Sequence, residues 1–193
     1  ASQELYGGKL IADESVSDHD LCGIESVTKN EVTDKVLTLI DTAGCDFEEQ
    51  QAEGDDSRFN PKEADLVTAH VQKLIAAGLA PNKIAVIAPY KAQVQRLRRL
   101  LSIHLPDLEV DSVDGFQGRE KEAVVLSLVR SNEKGEVGFL AEERRLNVAV
   151  TRARRHLCVI GDSATVSQNP FLGRLIDYLN EHADYHSAWE YIE

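Results

Sequence analysis

The 193-residue sequence has no glycine-rich loop ending in Gly-Lys-Ser or Gly-Lys-Thr, no methionine, one tryptophan and three cysteines. The first absence removes the usual phosphate cradle, in which loop amides and a lysine wrap the phosphates. The lack of methionine, with alanine at position 1, leads us to expect a piece of a longer protein. Cys22, Cys45 and Cys158 are odd in number and widely scattered. They exclude a disulfide framework and zinc-ligand spacing, and they suit a reducing compartment. His182 and His186 stand four apart with no third ligand nearby, so no metal site is expected. The longest apolar runs, such as Ala123 to Val129, fall far short of the ~20 residues of a bilayer span. No basic-then-apolar leader opens the sequence, which weighs against secretion. The expected location is the cytoplasm, the nucleus or both, with no membrane partner.

One further absence disposes of a likeness. Leu37-Thr-Leu-Ile-Asp-Thr-Ala-Gly mimics the magnesium loop of GTPases. Without a phosphate loop or an Asn-Lys-x-Asp guanine reader, Asp41 has no nucleotide to serve.

The charge that is present is unevenly spread. The net charge is −12, yet residues 1–60 carry 15 acidic and 4 basic side chains, and residues 61–193 carry 18 and 17. From Lys91 to Arg155 there are 13 basic against 10 acidic residues. Local charge governs contact with phosphates, so the total does not exclude a nucleic acid partner.

Residues 1 to about 34 are polar and weakly periodic, and read as a connector. Apolar runs then alternate with amphipathic stretches. Strands are expected at Val36–Ile40, Ile84–Ala88, Leu108–Val113, Ala123–Val129 and His156–Ile160. Asn60-Pro61 caps a helix expected through Ala77, which Gly78 stops. Further helices are expected at Tyr90–Leu101, about Glu142–Arg154 and Phe171–Glu181, and a mobile acidic loop at Asp46–Asp56. Continuous apolar strands interleaved with helices imply an α/β fold, a mostly parallel sheet covered on both faces. In such sheets ligands gather beyond the strand C-termini, where both Pro89-Tyr90-Lys91 and Asp114 to Glu120 are expected to fall.

Two segments carry phosphate chemistry. The first reads Ser112-Val-Asp-Gly-Phe-Gln-Gly-Arg-Glu-Lys-Glu. Gly115 and Gly118 permit close backbone approach to an anion, Gln117 adds an amide, and Glu120 offers a carboxylate suited to ribose hydroxyls. The same residues also suit an ordinary turn with solvated charges. The second reads Arg144-Arg-Leu-Asn-Val-Ala-Val-Thr-Arg-Ala-Arg. Leu146, Val150, Ala153 and Leu157 step by 4, 3 and 4 as the buried ridge of the expected helix, leaving five arginines among residues 144–155 for other faces. A guanidinium fixed on a packed helix suits a γ-phosphate, and a solvated basic helix end is the plainer alternative.

Taken together, Ile84 to Gln95, Ser112 to Leu128 and Arg144 to Asp162 resemble motifs IV, V and VI of superfamily 1B helicases. Val113-Asp-Gly-Phe-Gln-Gly-Arg-Glu-Lys-Glu, Val129-Arg-Ser-Asn and Gly138-Phe-Leu-Ala-Glu resemble its immunoglobulin mu-binding branch, which stands with the nonsense-mediated-decay helicase. The resemblance implies the second RecA-like domain of an ATP-dependent 5′-to-3′ RNA/DNA helicase, over residues 35–193, with residues 1–34 as its connector. It implies that Gly118 approaches the ATP phosphates, Glu120 the ribose and Arg152 the γ-phosphate, and the Gln117 amide remains a candidate for the same nucleotide on its residue type. Pro89, Tyr90, Ser112, Val113 and Asp114 would lie along single-stranded RNA or DNA, and Asn147 would support either surface.

The family's phosphate-binding lysine, magnesium-binding acids and catalytic glutamate belong to its first RecA-like domain, and none is found in this sequence. Magnesium is therefore expected from that absent partner domain, and this piece alone is expected to be a monomer without ATPase activity. The alternatives are a catalytically inactive nucleic-acid-binding or regulatory module, and a stand-alone nuclease or phosphatase. The last needs a clustered carboxylate or nucleophile site that the sequence does not offer.

Overall fold

A strand apolar on both faces must be covered on both, and that requirement organises the chain. The computed structural model describes residues 20–192; residues 1–19, most of the expected connector, lie outside the described residues. In chain order the elements are β1 (Leu37–Asp41), β2 (Gln50–Gln51), β3 (Arg58–Phe59), α1 (Pro61–Ala76), β4 (Ile84–Ala88) and α2 (Lys91–Leu101). There follow β5 (Glu109–Ser112), β6 (Lys121–Ser127), α3 (Glu143–Val150), β7 (Ala153–Gly161), α4 (Ser163–Val166), α5 (Pro170–His182) and β8 (Asp184–Ser187). Six strands form one parallel sheet in the order β5-β4-β6-β7-β1-β8. The expected α/β fold is present.

Strand β4 shows how the two layers arise. Ile84, Val86 and Ala88 enter the core beneath α1 and α2, with Val67, Leu74 and Leu97. Ala85 and Ile87 enter the opposite core, with Phe116, Leu126, Leu146 and Leu175. Full burial of one such large side chain contributes roughly 1.5–3 kcal/mol. Leu21, Val27 and Val32, ahead of β1, join the first layer.

Helix α1 starts where the sequence predicts. The Asn60 side chain accepts from the Glu63 amide and Pro61 occupies the first turn, where its missing N–H costs nothing. The expected acidic loop carries a small hairpin, β2 paired antiparallel with β3, which local sequence does not announce. Strand β8 was also not foreseen, because Asp184-Tyr-His-Ser has no apolar run; its pairing with β1 supplies the order. His186 lies in β8 rather than on a helix face shared with His182.

The arginine helix is the main correction. It spans only Glu143–Val150, and Ala153 already belongs to β7. Thr151 ends it, its hydroxyl donating to the Asn147 and Val148 carbonyls. The apolar spacing continues through Leu157, but backbone pairing with β6 and β1 claims that stretch for the sheet. Arg152 therefore sits in a turn, and Arg154 on a strand.

Two buried histidines lock α1 to β7. His156 Nδ1 lies 2.7 Å from the Lys35 carbonyl, so that nitrogen carries the proton. Its Nε2 then accepts from His70 Nε2, 2.9 Å away, with the rings stacked at 5.2 Å. Burial holds both imidazoles below their ordinary range, reinforced for His70 by the neighbouring ring. The unfolded chain thus binds protons near pH 6.5 that the folded chain refuses, so this contribution is complete above that pH and is lost below it. Lowering the pH from about 7.5 to about 5.5 should reduce the unfolding free energy of the wild type relative to a variant without these histidines, by up to ~1.4 kcal/mol per pH unit for each histidine. A His70→Leu/His156→Leu variant should lose most of that acid sensitivity; an unchanged sensitivity would contradict the assignment.

Candidate functional site

Strands β5 and β6 both pair with β4 in parallel, so the chain between them must travel from the C-terminal end of the sheet back to its N-terminal end. Such a return usually takes a dozen or more residues and a helix. Here residues 113–120 accomplish it in consecutive turns. Ser112 is level with Ala88 at one end, while Lys121 is level with Ala153 at the other. The fully buried Phe116 fastens the middle, its amide donating to the Ser112 carbonyl at 3.0 Å. Arg119 staples the segment from outside, pairing with Asp111 at 3.0 Å and with Glu109, and donating to the Gly115 carbonyl.

This path corrects the expectation that Asp114 to Glu120 all fall beyond the strand C-termini. Ser112, Val113 and Asp114 do; Arg119 and Glu120 reach the opposite end, beside Lys121.

At that N-terminal end stand the residues expected to meet a nucleotide. Gln117, Gly118 and Glu120 are exposed. Gly118 has φ +80°, a conformation that a side chain would strain, and open space surrounds the place of a Cβ. The Lys121 amide donates to the Arg152 carbonyl at 3.1 Å, holding the Arg152 turn beside the crossing. The half-buried Arg152 folds back on α3, its Nε donating to the Val148 carbonyl at 3.0 Å and its Nη2 to Thr151 Oγ1 at 3.0 Å. Glu120 faces Arg154 at 3.1 Å, an exposed pair of small energetic weight. A guanidinium, an exposed carboxylate held only by a surface arginine and an uncovered glycine backbone fit one side of a nucleoside triphosphate. Among the described residues no group of histidine, cysteine, aspartate and glutamate converges to hold a metal.

The C-terminal end gathers the residues expected to meet a strand. Pro89, Ser112, Val113, Asp114, Phe139 and Arg145 line one small cleft. Arg145 pairs with Asp114 at 3.2 Å and with Glu142 at 3.1 Å. Tyr90 lies beneath, only 3% exposed, receiving a hydrogen bond from Arg130 at 3.1 Å. Asn147 lies on α3, half-buried between the two ends. Helix α3 thus makes a second return, from Arg145 at one end of the sheet to Arg152 at the other.

Sequence reasoning missed what supports this cleft. Val129 has φ +73°, a costly conformation for a β-branched residue. The wholly buried Glu63 holds it there, accepting from the Val129 amide at 2.9 Å and from Ser127 Oγ at 2.6 Å. Gln93 and Asn60 extend this buried network. The kink aims Arg130 so that it bonds Glu49 at 2.7 Å and reaches Tyr90. No local signal marks Glu63, because its partners lie more than sixty positions away.

A cavity of about 840 Å3 lies elsewhere, between the ends of β1 and β7 and the segment after β6. Its buried carboxylates serve the fold: Glu49 receives Arg130, Ser131 and Asn132, and Asp162 receives Ser131 and Thr165. Asp41, from the GTPase-like stretch, is likewise engaged by Ala43, Ser163 and Tyr185.

Architecture and residues together define an α/β domain built on a six-stranded parallel sheet. The chain belongs to the AAA domain family, which it matches over residues 1–164. It is 55% identical, along its whole length, to 20% of the DNA-binding protein SMUBP-2 of Rattus norvegicus. It is 46% identical, over 94% of its length, to 28% of the DNA polymerase alpha-associated DNA helicase A of Schizosaccharomyces pombe. With an ATP-dependent helicase of Methanocaldococcus jannaschii it shares 38% identity over 90% of this chain and 26% of that one. The chain therefore spans between a fifth and under a third of these relatives. No described helix is long and apolar enough to cross a membrane.

Burial pushes the Glu63 carboxyl up to about 7, against the opposing pull of its Ser127 and Val129 donors. Removing it leaves the Ser127 hydroxyl and Val129 amide without their acceptor. Glu63→Ala should cost about 3 kcal/mol in denaturant unfolding, and Glu63→Gln distinctly less. A loss below ~1 kcal/mol for Glu63→Ala would contradict the supporting role.

Proposed function

We propose that this chain is the second RecA-like half of an ATP-dependent 5′-to-3′ RNA/DNA helicase of superfamily 1B. The observation that carries the reading is the 113–120 crossing, which sets Ser112, Val113 and Asp114 at one end of the sheet and Glu120 at the other. The helicase names of several relatives support it, as does their greater length. In the parent, the partner would be a first RecA-like domain of the same chain, facing the Glu120–Arg152 end, with residues 1–34 as the connector. The domain itself acts as a monomer, in the nucleus, the cytoplasm or both.

Bound ATP supplies the γ-phosphoryl group whose transfer to water drives such machines, with magnesium held by the first domain. On this chain, Arg152 would turn from its carbonyl partner toward the charge that develops on that group. Its turn is held between α3 and β7, the Arg152 amide donating to the Ala149 carbonyl, which reduces the ordering required. Gly118 and Gln117 would lie against the phosphates, and Glu120 would leave Arg154 to accept from ribose hydroxyls. Pro89, Tyr90, Ser112, Val113, Asp114 and Asn147 would form or support the track of a single strand. Backbone contacts of this kind carry little base preference.

Two measurements test this. The isolated chain should show negligible ATP hydrolysis, with or without magnesium and a single strand; metal-dependent turnover abolished by Arg152→Ala would overturn that. In the full-length parent, Arg152→Ala should lower kcat by about 10³–10⁵-fold while leaving strand affinity nearly unchanged. An unaffected kcat would remove Arg152 from the role.

A further inference from the structure

Phe139 is 54% exposed, on the short turn Gly138–Ala141 that leads into α3. Nothing about its local sequence requires an aromatic ring in water, and its neighbours hold it there. Leu140 is buried and anchors the turn on one side. On the other, Gly138 takes φ +51°, and a Cβ there would collide with the Tyr90 hydroxyl and the Arg130 guanidinium. Tyr90 itself underlies Phe139, ring to ring at 5.6 Å. The exposed ring is thus held from beneath by a buried aromatic, a buried arginine and the strained Val129 turn that aims it.

The ring also has the right company. It forms one wall of the cleft lined by Pro89, Ser112, Val113 and Asp114. The Arg145 guanidinium lies 5.8 Å from its centroid, close enough to polarise a stack. A flat apolar face beside a guanidinium, at the edge of a polar cleft, matches the chemistry of a nucleobase attached to its phosphodiester. We propose that Phe139 is a stacking platform that holds one base of the single strand, with Arg145 beside it. The proposal rests on the strand track proposed above and adds a base contact to a surface otherwise expected to grip only the backbone. Because every base presents a π face, the contact is tolerant of sequence while still fixing the strand's position in steps of one nucleotide.

Fluorescence polarisation with labelled oligothymidylate tests this on the chain itself. Phe139→Ala should weaken binding by about 5- to 100-fold, and Phe139→Trp should restore most of it. The slope of log affinity against log salt should stay unchanged, because no phosphate contact is lost. An oligonucleotide of the same length made of abasic sites should bind wild type and Phe139→Ala equally. Thermal unfolding of both variants should match wild type, since the ring is already half in water.

A strand that binds wild type and Phe139→Ala alike would overturn the stacking role and mark the ring as a protein contact, leaving the strand track intact. A Phe139→Ala loss that persists equally on the abasic strand would also overturn it. Failure of the wild-type chain to bind any single strand would overturn both the platform and the track beneath it.

Discussion

Phe116 pins a crossing that the parallel sheet makes long and the sequence makes short. Strand order forces the chain from the C-terminal level of β5 to the N-terminal level of β6, and residues 113–120 must cover that distance without a helix. They can do so only by turning tightly around one large apolar side chain sunk in the core. That side chain is completely buried among Ala85, Ile87, Leu126 and Leu146. Ser112 to Asp114 are placed because Phe116 follows them, and Gly118 to Glu120 because it precedes them. A single buried ring thereby sets both ends of the candidate site.

The arginines are distributed along the same axis. Helix α3 returns beside the crossing, with Arg145 against Asp114 at one end and Arg152 against Arg119 at the other. Charge thus matters here by location. A chain with net charge −12 still offers arginines at two separate ends of the sheet. The C-terminal end of the sheet has its own support, a buried network in which Glu63 holds Val129 in a left-handed turn and Arg130 braces Tyr90. Buried, satisfied polar networks of this kind specify one arrangement, at the cost of sensitivity to any missing partner.

Much of this was legible in the residues. The cap Asn60-Pro61 marked α1, and the run Ile84–Ala88 coincided with β4 because a doubly covered strand needs no alternation. The two segments singled out in the sequence lie side by side, Arg145 pairing with Asp114 and the Lys121 amide donating to the Arg152 carbonyl. Other features depend on contacts that no local pattern encodes. Leu146, Val150, Ala153 and Leu157 keep helical spacing past the true end of α3, and only the pairing of Ala153 with Lys121 reveals the strand. The division of the 113–120 segment between two ends of the sheet follows from β4 lying between β5 and β6, a fact of topology. Glu63 is an acid in the first turn of α1, and only its partners in β6 and the turn beyond it set it apart.

The central claim is that a crossing fastened by Phe116 makes the residues proposed to face the strand and those proposed to face the nucleotide one mechanical unit. The direct test is the factor by which a non-hydrolysable ATP analogue changes single-strand affinity in the full-length parent, measured for wild type and Phe116→Leu. The account predicts that Phe116→Leu still binds analogue and strand separately, while the factor relating the two falls toward unity. An undiminished factor in that variant would contradict it.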